Sequence, residues 1–131
     1  MKINFLLTEV SKAADICFKP FKHSAVLLNS NNNDELNKIS FSEINLRIES
    51  RDLEGNRNSE MDLELELFRS GRDLNLTLSW LSFPSKPILW HGNYSLWLDS
   101  VTGKKINSPP DSIKLESFAR RLREEFSFLI N

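Results

Sequence analysis

Three tryptophans, Trp80, Trp90 and Trp97, with Phe83 and Tyr94 between them, are the side chains of this chain best suited to grip a ligand. Lys86, Lys104 and Lys105 lie around them, and His91 follows Trp90 directly. An indole beside a lysine can stack on a base or fill a partner's pocket, and one stacked base is worth roughly 1–3 kcal/mol. Which indoles are available depends on strand phase. Trp80 continues the series Leu74, Leu76, Leu78 and is expected in the core. Trp97 is out of phase with Leu96 and Leu98. Two in-phase leucines are expected to set the register, turning Trp97 at least partly to solvent, because a slip of one residue exchanges the faces. Trp97, Trp90, His91, Lys86, Lys104 and Lys105 are therefore the candidate binding residues.

Other reactive side chains are sparse. His91 sits in Trp90-His91-Gly92-Asn93 and His23 in Phe21-Lys22-His23-Ser24, with no second histidine, cysteine or carboxylate at metal-ligand spacing. A histidine beside a glycine turn is expected to be a loop hydrogen-bonder. Cys17, the single cysteine, falls on an apolar helical stripe and reads as a small core residue. Asp62, Glu64 and Glu66 alternate along one strand and read as a solvated acidic face that discourages edge pairing. Arg120, Arg121, Arg123 and Lys114 are balanced in their segment by Asp111, Glu116, Glu124 and Glu125, which describes a helix surface and not a phosphate platform. No catalytic residue, metal or cofactor is expected.

The elements that must position these groups are easier to read. Ile44-Asn45-Leu46-Arg47-Ile48, Met61 to Leu67 and Leu74 to Trp80 alternate strictly between apolar and polar residues. A period of two places each set on one side of a strand, so the chain builds an antiparallel sheet with one dry and one wet face. The strands are expected over about 39–50, 61–69 and 73–82. Arg51 to Ser59 forms a charged, mobile hairpin loop between the first two. Gly71 supplies the positive φ of a short hairpin between the second and third. Ser24 to Asn29 reads as a short strand buried on both faces, followed by an exposed polar loop from Ser30 to Asp34. Pro84 and Pro87 bound a crossing segment. Residues 88–99 read either as one bent strand or as a tight hairpin, and 101–105 as a turn.

At the start, Ile3, Leu7, Val10, Ala14, Cys17 and Phe21 fall on one helical stripe, but Thr8 can N-cap a shorter helix preceded by a short strand over 3–7; a helix is expected over 9–18, with 3–7 open between strand and helix. Pro20 ends the helix in either case. At the end, Leu115, Phe118, Ala119, Leu122, Phe126, Leu129 and Ile130 form a second stripe, opened by Ser112 as N-cap, and this helix should lie on the dry face. The expected fold is α+β: one domain over 1–131, an antiparallel meander of about five to six strands, an N-terminal helix and a long C-terminal helix packed on one face.

With 131 residues, 40% hydrophobic and 27% charged, the chain can bury one core and is not expected to be disordered. No apolar run reaches the roughly 18–20 residues of a membrane span, no signal peptide is expected, and the lone cysteine suits the cytoplasm. Charge is split: residues 41–66 carry eight acids against three arginines, whereas 67–110 carry five basic residues against two acids. These features favour a non-catalytic interaction or assembly module that binds a protein partner through a sheet edge or the wet face, with a homodimer through a sheet edge as one form. The alternative is a binder of a small ligand or single-stranded nucleic acid through the Trp90–Trp97 region. An enzyme ranks third, and no membrane partner is expected.

Overall fold

The computed structural model of the chain describes residues 3–30, 43–70, 73–83, 85–110 and 112–126. The elements are α1 (Ile3–Cys17), β1 (Lys22–Ser30), β2 (Glu43–Arg51), a 3-10 turn (Ser59–Met61), β3 (Leu63–Ser70), β4 (Asp73–Trp80), β5 (Ile88–His91), β6 (Ser95–Leu98), β7 (Lys105–Ile106) and α2 (Ser112–Phe126). The seven strands form one sheet in the order of the chain, and each neighbouring pair is antiparallel. This is the meander that the alternation implies, with more strands than the five to six expected.

Pairing lines up the inward residues across the whole sheet. One row runs Leu27, Leu46, Leu65, Leu78, Leu89, Trp97 and Ile106, one residue from each strand. The rows beside it are Ile44, Leu67, Leu76 and His91, and Ile48, Leu63 and Trp80. Both helices serve this face: α1 packs on β1, α2 on β4 and β5, and the helices touch each other. Leu6, Val10, Ala13 and Ala14 of α1 and Leu115, Phe118, Ala119, Leu122 and Phe126 of α2 join the sheet leucines in one core. The rings of Phe18 and Phe118 meet edge to face at 5.3 Å, which fastens the exit of α1 to α2. Each large side chain so buried contributes roughly 1.5–3 kcal/mol.

Several local expectations are decided by packing. The single long stripe wins at the start, since α1 begins at Ile3 and no strand precedes it among the described residues. β1 is not buried on both faces. Among the described residues it pairs only with β2, as the outer strand, and Leu27 and Leu28, at a register shift between Leu27 and Asn29, are exposed. Residues 88–99 are a hairpin and not one bent strand, because Gly92 to Tyr94 reverse the chain and pair Trp90 with Leu96. The 101–105 turn runs into a strand: Asp99 Oδ1 accepts the N–H groups of Val101 and Thr102 at 2.8 Å, and Lys105–Ile106 then pairs with β6. The expected loop beyond Ser30, the expected strand residues 39–42, the Gly71 turn, and Leu129 and Ile130 of the C-terminal stripe lie outside the described residues.

The 51–58 loop is hydrogen-bonded, not free. Asp62, expected in the wet acidic row, is buried just before β3, where Oδ1 accepts the Ser50 N–H at 2.8 Å. Arg57 grips the same carboxylate at 3.0 and 2.6 Å and donates to the Ser50 carbonyl at 2.8 Å. Burial alone would raise the Asp62 carboxyl; the Arg57 guanidinium and the Ser50 N–H outweigh it and hold the group below its ordinary value. Inside the loop, Asp52 Oδ1 accepts the N–H groups of Glu54 and Asn56 at 2.9 Å.

Candidate binding surfaces

The two helices leave the other face of the sheet open. On β1–β3 that face is polar: Asn29, Asn45 and Glu66 form one row, and Val26, Arg47 and Glu64 the next. On β5 and β6 the same face turns apolar. The Asn29 row continues through Thr77 to Trp90 and Leu96, and a neighbouring row joins Ile88, Leu98 and Lys105. Tyr94, in the hairpin turn, is 62% exposed and leans edge-on against Trp90 at 5.4 Å. The open face therefore joins an apolar strip to a carboxylate row.

The hairpin that builds this strip depends on a close approach. A Cβ at Gly92 would lie 2.6 Å from the Trp90 indole and collide with the Asn75 side chain. Only glycine lets Trp90 fold flat across the turn.

The carboxylates are crowded. Burial raises the Glu66 carboxyl above its ordinary value, and the neighbouring charge of Glu43, a hydrogen bond with it, and the charge of Glu64 raise it further. Glu66 thus sits in a locally negative field, which a partner's cation would relieve. Glu49 on the same side is engaged by Arg47 at 3.1 Å.

The candidate residues do not form one cluster. Trp97, expected to be partly exposed, is only 3% exposed, and Leu96 and Leu98, expected in the core, are half-buried on the open face. The phase is opposite to that expected because Trp97 pairs with Leu89 in the inward row and its Nε1–H donates to Glu116 Oε1 of α2 at 2.8 Å. A buried indole needs such a partner, and a leucine in its place could not use one. Trp90 lies on the open face, half-buried. Lys105 flanks Leu98 there, and Lys104 is exposed in the preceding turn. Lys86 is apart from Trp90 and Lys105, its Nζ 4.8 Å from the Phe83 ring and 5.6 Å from the Trp80 ring, and it lines one hollow with the buried Trp97.

His91 faces the helices, buried in the row of Leu76 and Leu67. Burial pushes its pKa below 6.5, and the charges of Arg123 and Arg120 lower it further against the opposing effect of Glu116. Its Nδ1 has no protein partner among the described residues. His23 meets Asp15 Oδ1 at 3.0 Å, a structural contact between β1 and α1. Cys17 is half-buried against the core, and burial raises its thiol pKa. Among the described residues no group of three or more histidine, cysteine or carboxylate side chains could hold a metal ion, and no helix is long and apolar enough to cross a membrane.

The apolar strip was legible in one respect. Ile88 and Trp90 share one phase and Leu96 and Leu98 another, and the Gly92–Tyr94 turn sets the register that brings the two pairs to one face; a slip of one residue would have set Trp90 opposite Trp97 instead. What pointed away from it was the assumption that leucines outrank tryptophan for the interior.

Fold and surface together define an α+β domain: a seven-stranded antiparallel meander, two helices on one face, and an open face of mixed apolar and acidic character. The chain belongs to the family described as a domain of unknown function, DUF8659, whose model matches residues 7–125. Neither curated proteins nor solved structures provide a match to it.

Proposed function

We propose that this domain is a non-catalytic, cytoplasmic interaction module that binds another protein on the open face of its sheet. The observation that carries the reading is the continuity of the Trp90–Leu96 strip with the Glu66 row, on the side that neither helix occupies. Aromatic anchors in an apolar patch are the usual centres of protein interfaces. Glu66 and Glu64 beside the strip select for a segment that presents apolar side chains flanked by basic ones. The same carboxylates repel a polyanion, so they weigh against single-stranded nucleic acid despite Tyr94 and Lys105 nearby. The face is favoured over the edges. On β1 the Ala25 N–H is already taken by Ser11 Oγ of α1 at 2.9 Å, and β7 at the other edge is two residues long. Binding is favoured over chemistry because His91, the best general-base candidate, points away under α2.

The test is a photo-crosslinking side chain placed at Tyr94 in living cells. A discrete protein adduct is expected, lost in Leu96→Lys and in Glu66→Lys while both variants keep a cooperative melt. The same crosslinker at exposed Leu53, in the β2–β3 loop, should give none. An adduct insensitive to both substitutions, no adduct, or an adduct to nucleic acid would overturn the reading.

A further inference from the structure

We propose that the hollow between the exit of α1, the end of β4 and the first turn of α2 is a binding site for a small amphipathic anion. The ligand class is a carboxylate or sulfonate carried on an aromatic or medium-length alkyl body. The hollow encloses about 700 Å³, within the range of roughly 300–1,000 Å³ typical of small-molecule sites. Phe18, Met61, Trp80 and Leu115 give it an apolar lining, and a second hollow of about 280 Å³ adjoins it across Trp80, Lys86 and Leu115. Among the described residues three lysines line it, Lys19, Lys86 and Lys114, against one acid, Glu60.

The charge of these lysines selects the occupant. Among the described residues none of the three has a carboxylate within ion-pair distance, whereas Lys12 is paired with Glu9. Lys86 instead rests against the rings of Phe83 and Trp80. Those contacts hold the ammonium itself over the aromatic wall of the hollow, where its charge faces the space beside the rings. An alkyl or aromatic body in the hollow would bury apolar surface, and its anionic head would meet lysines that form no ion pair among the described residues. A cationic ligand would add to an excess of positive charge.

The site lies away from the open sheet face, so the two surfaces can be tested apart. The probe is 1-anilinonaphthalene-8-sulfonate bound to the folded chain, with decanoate as competitor. Saturable binding is expected, displaced by decanoate and not by decyltrimethylammonium. Lys86→Gln should weaken decanoate about tenfold, the scale of one charge-assisted contact. Ile113→Trp, at the exposed rim, should occlude the hollow and abolish binding, whereas Trp90→Ala should leave it unchanged. Decanoate that fails to displace the probe, displacement by the cation as effective as by decanoate, or binding that survives both Lys86→Gln and Ile113→Trp would overturn the proposal. Loss of binding in Trp90→Ala would move the ligand to the open face and overturn it as well.

Discussion

Trp97 of β6 donates its indole N–H to Glu116 of α2 at 2.8 Å, a bond between residues 19 apart in the chain that ties the last hairpin to the covering helix. Trp97→Ala is expected to cost about 3–5 kcal/mol, the range for deleting a buried aromatic side chain. Glu116→Ala removes only the acceptor and should cost roughly 1.5–3 kcal/mol; Glu116→Gln, which keeps a carbonyl oxygen, should cost less. Urea unfolding monitored by circular dichroism measures all three. A Trp97→Ala protein as stable as the parent would mean that the indole does not hold α2.

The Asp62 carboxylate joins Ser50 to Arg57 and so closes the β2–β3 loop. Asp62→Ala leaves the buried Ser50 N–H without its partner and should cost about 1–3 kcal/mol. Because the carboxyl is held below its ordinary value of 3.8, its contribution is complete above that pH. It is lost as pH falls through the lower value of the folded state. Acid unfolding curves should therefore differ between parent and Asp62→Ala near neutrality and converge in strong acid. Curves that stay parallel down to strong acid would show that the loop is closed by something else.

His91 reports on the packing of α2 at mildly acidic pH. Its folded pKa lies below 6.5 because burial and the arginines of α2 disfavour the cation. Between the two values the unfolded chain binds a proton that the folded chain refuses, so stability falls as pH drops below 6.5. Replacing His91 by Gln should flatten this part of the stability profile. An unchanged slope in His91→Gln would assign it to other groups.

The alternation of β2, β3 and β4 sufficed to assign their faces. Each apolar residue of Ile44–Ile48, Leu63–Leu67 and Leu74–Leu78 that falls in phase is buried, because one side of these strands carries polar groups whose desolvation would cost too much. The α2 stripe was legible for the same reason, whereas α1 was legible only in part: it starts at Ile3 and not at residue 9, and it buries Leu6 and Ala13 beside Val10 and Ala14. In β5 and β6 the pattern loses that power. Ile88, Trp90, Leu96 and Leu98 are as apolar as Leu89 and Trp97, so period two separates two faces without saying which is covered.

That choice was made by tertiary structure. Glu116 offers an acceptor to the Trp97 indole, and Leu78 pairs with Leu89 to extend the inward row. The lysine-rimmed hollow is likewise invisible in the chain, since its wall comes from four separated segments around Phe18, Met61, Trp80 and Leu115. Local sequence determined the elements and their amphipathic sides, because those depend on neighbours two to four residues away. The covered side of the last hairpin, the open strip and the hollow depend on partners far along the chain, and only the assembled fold supplies them.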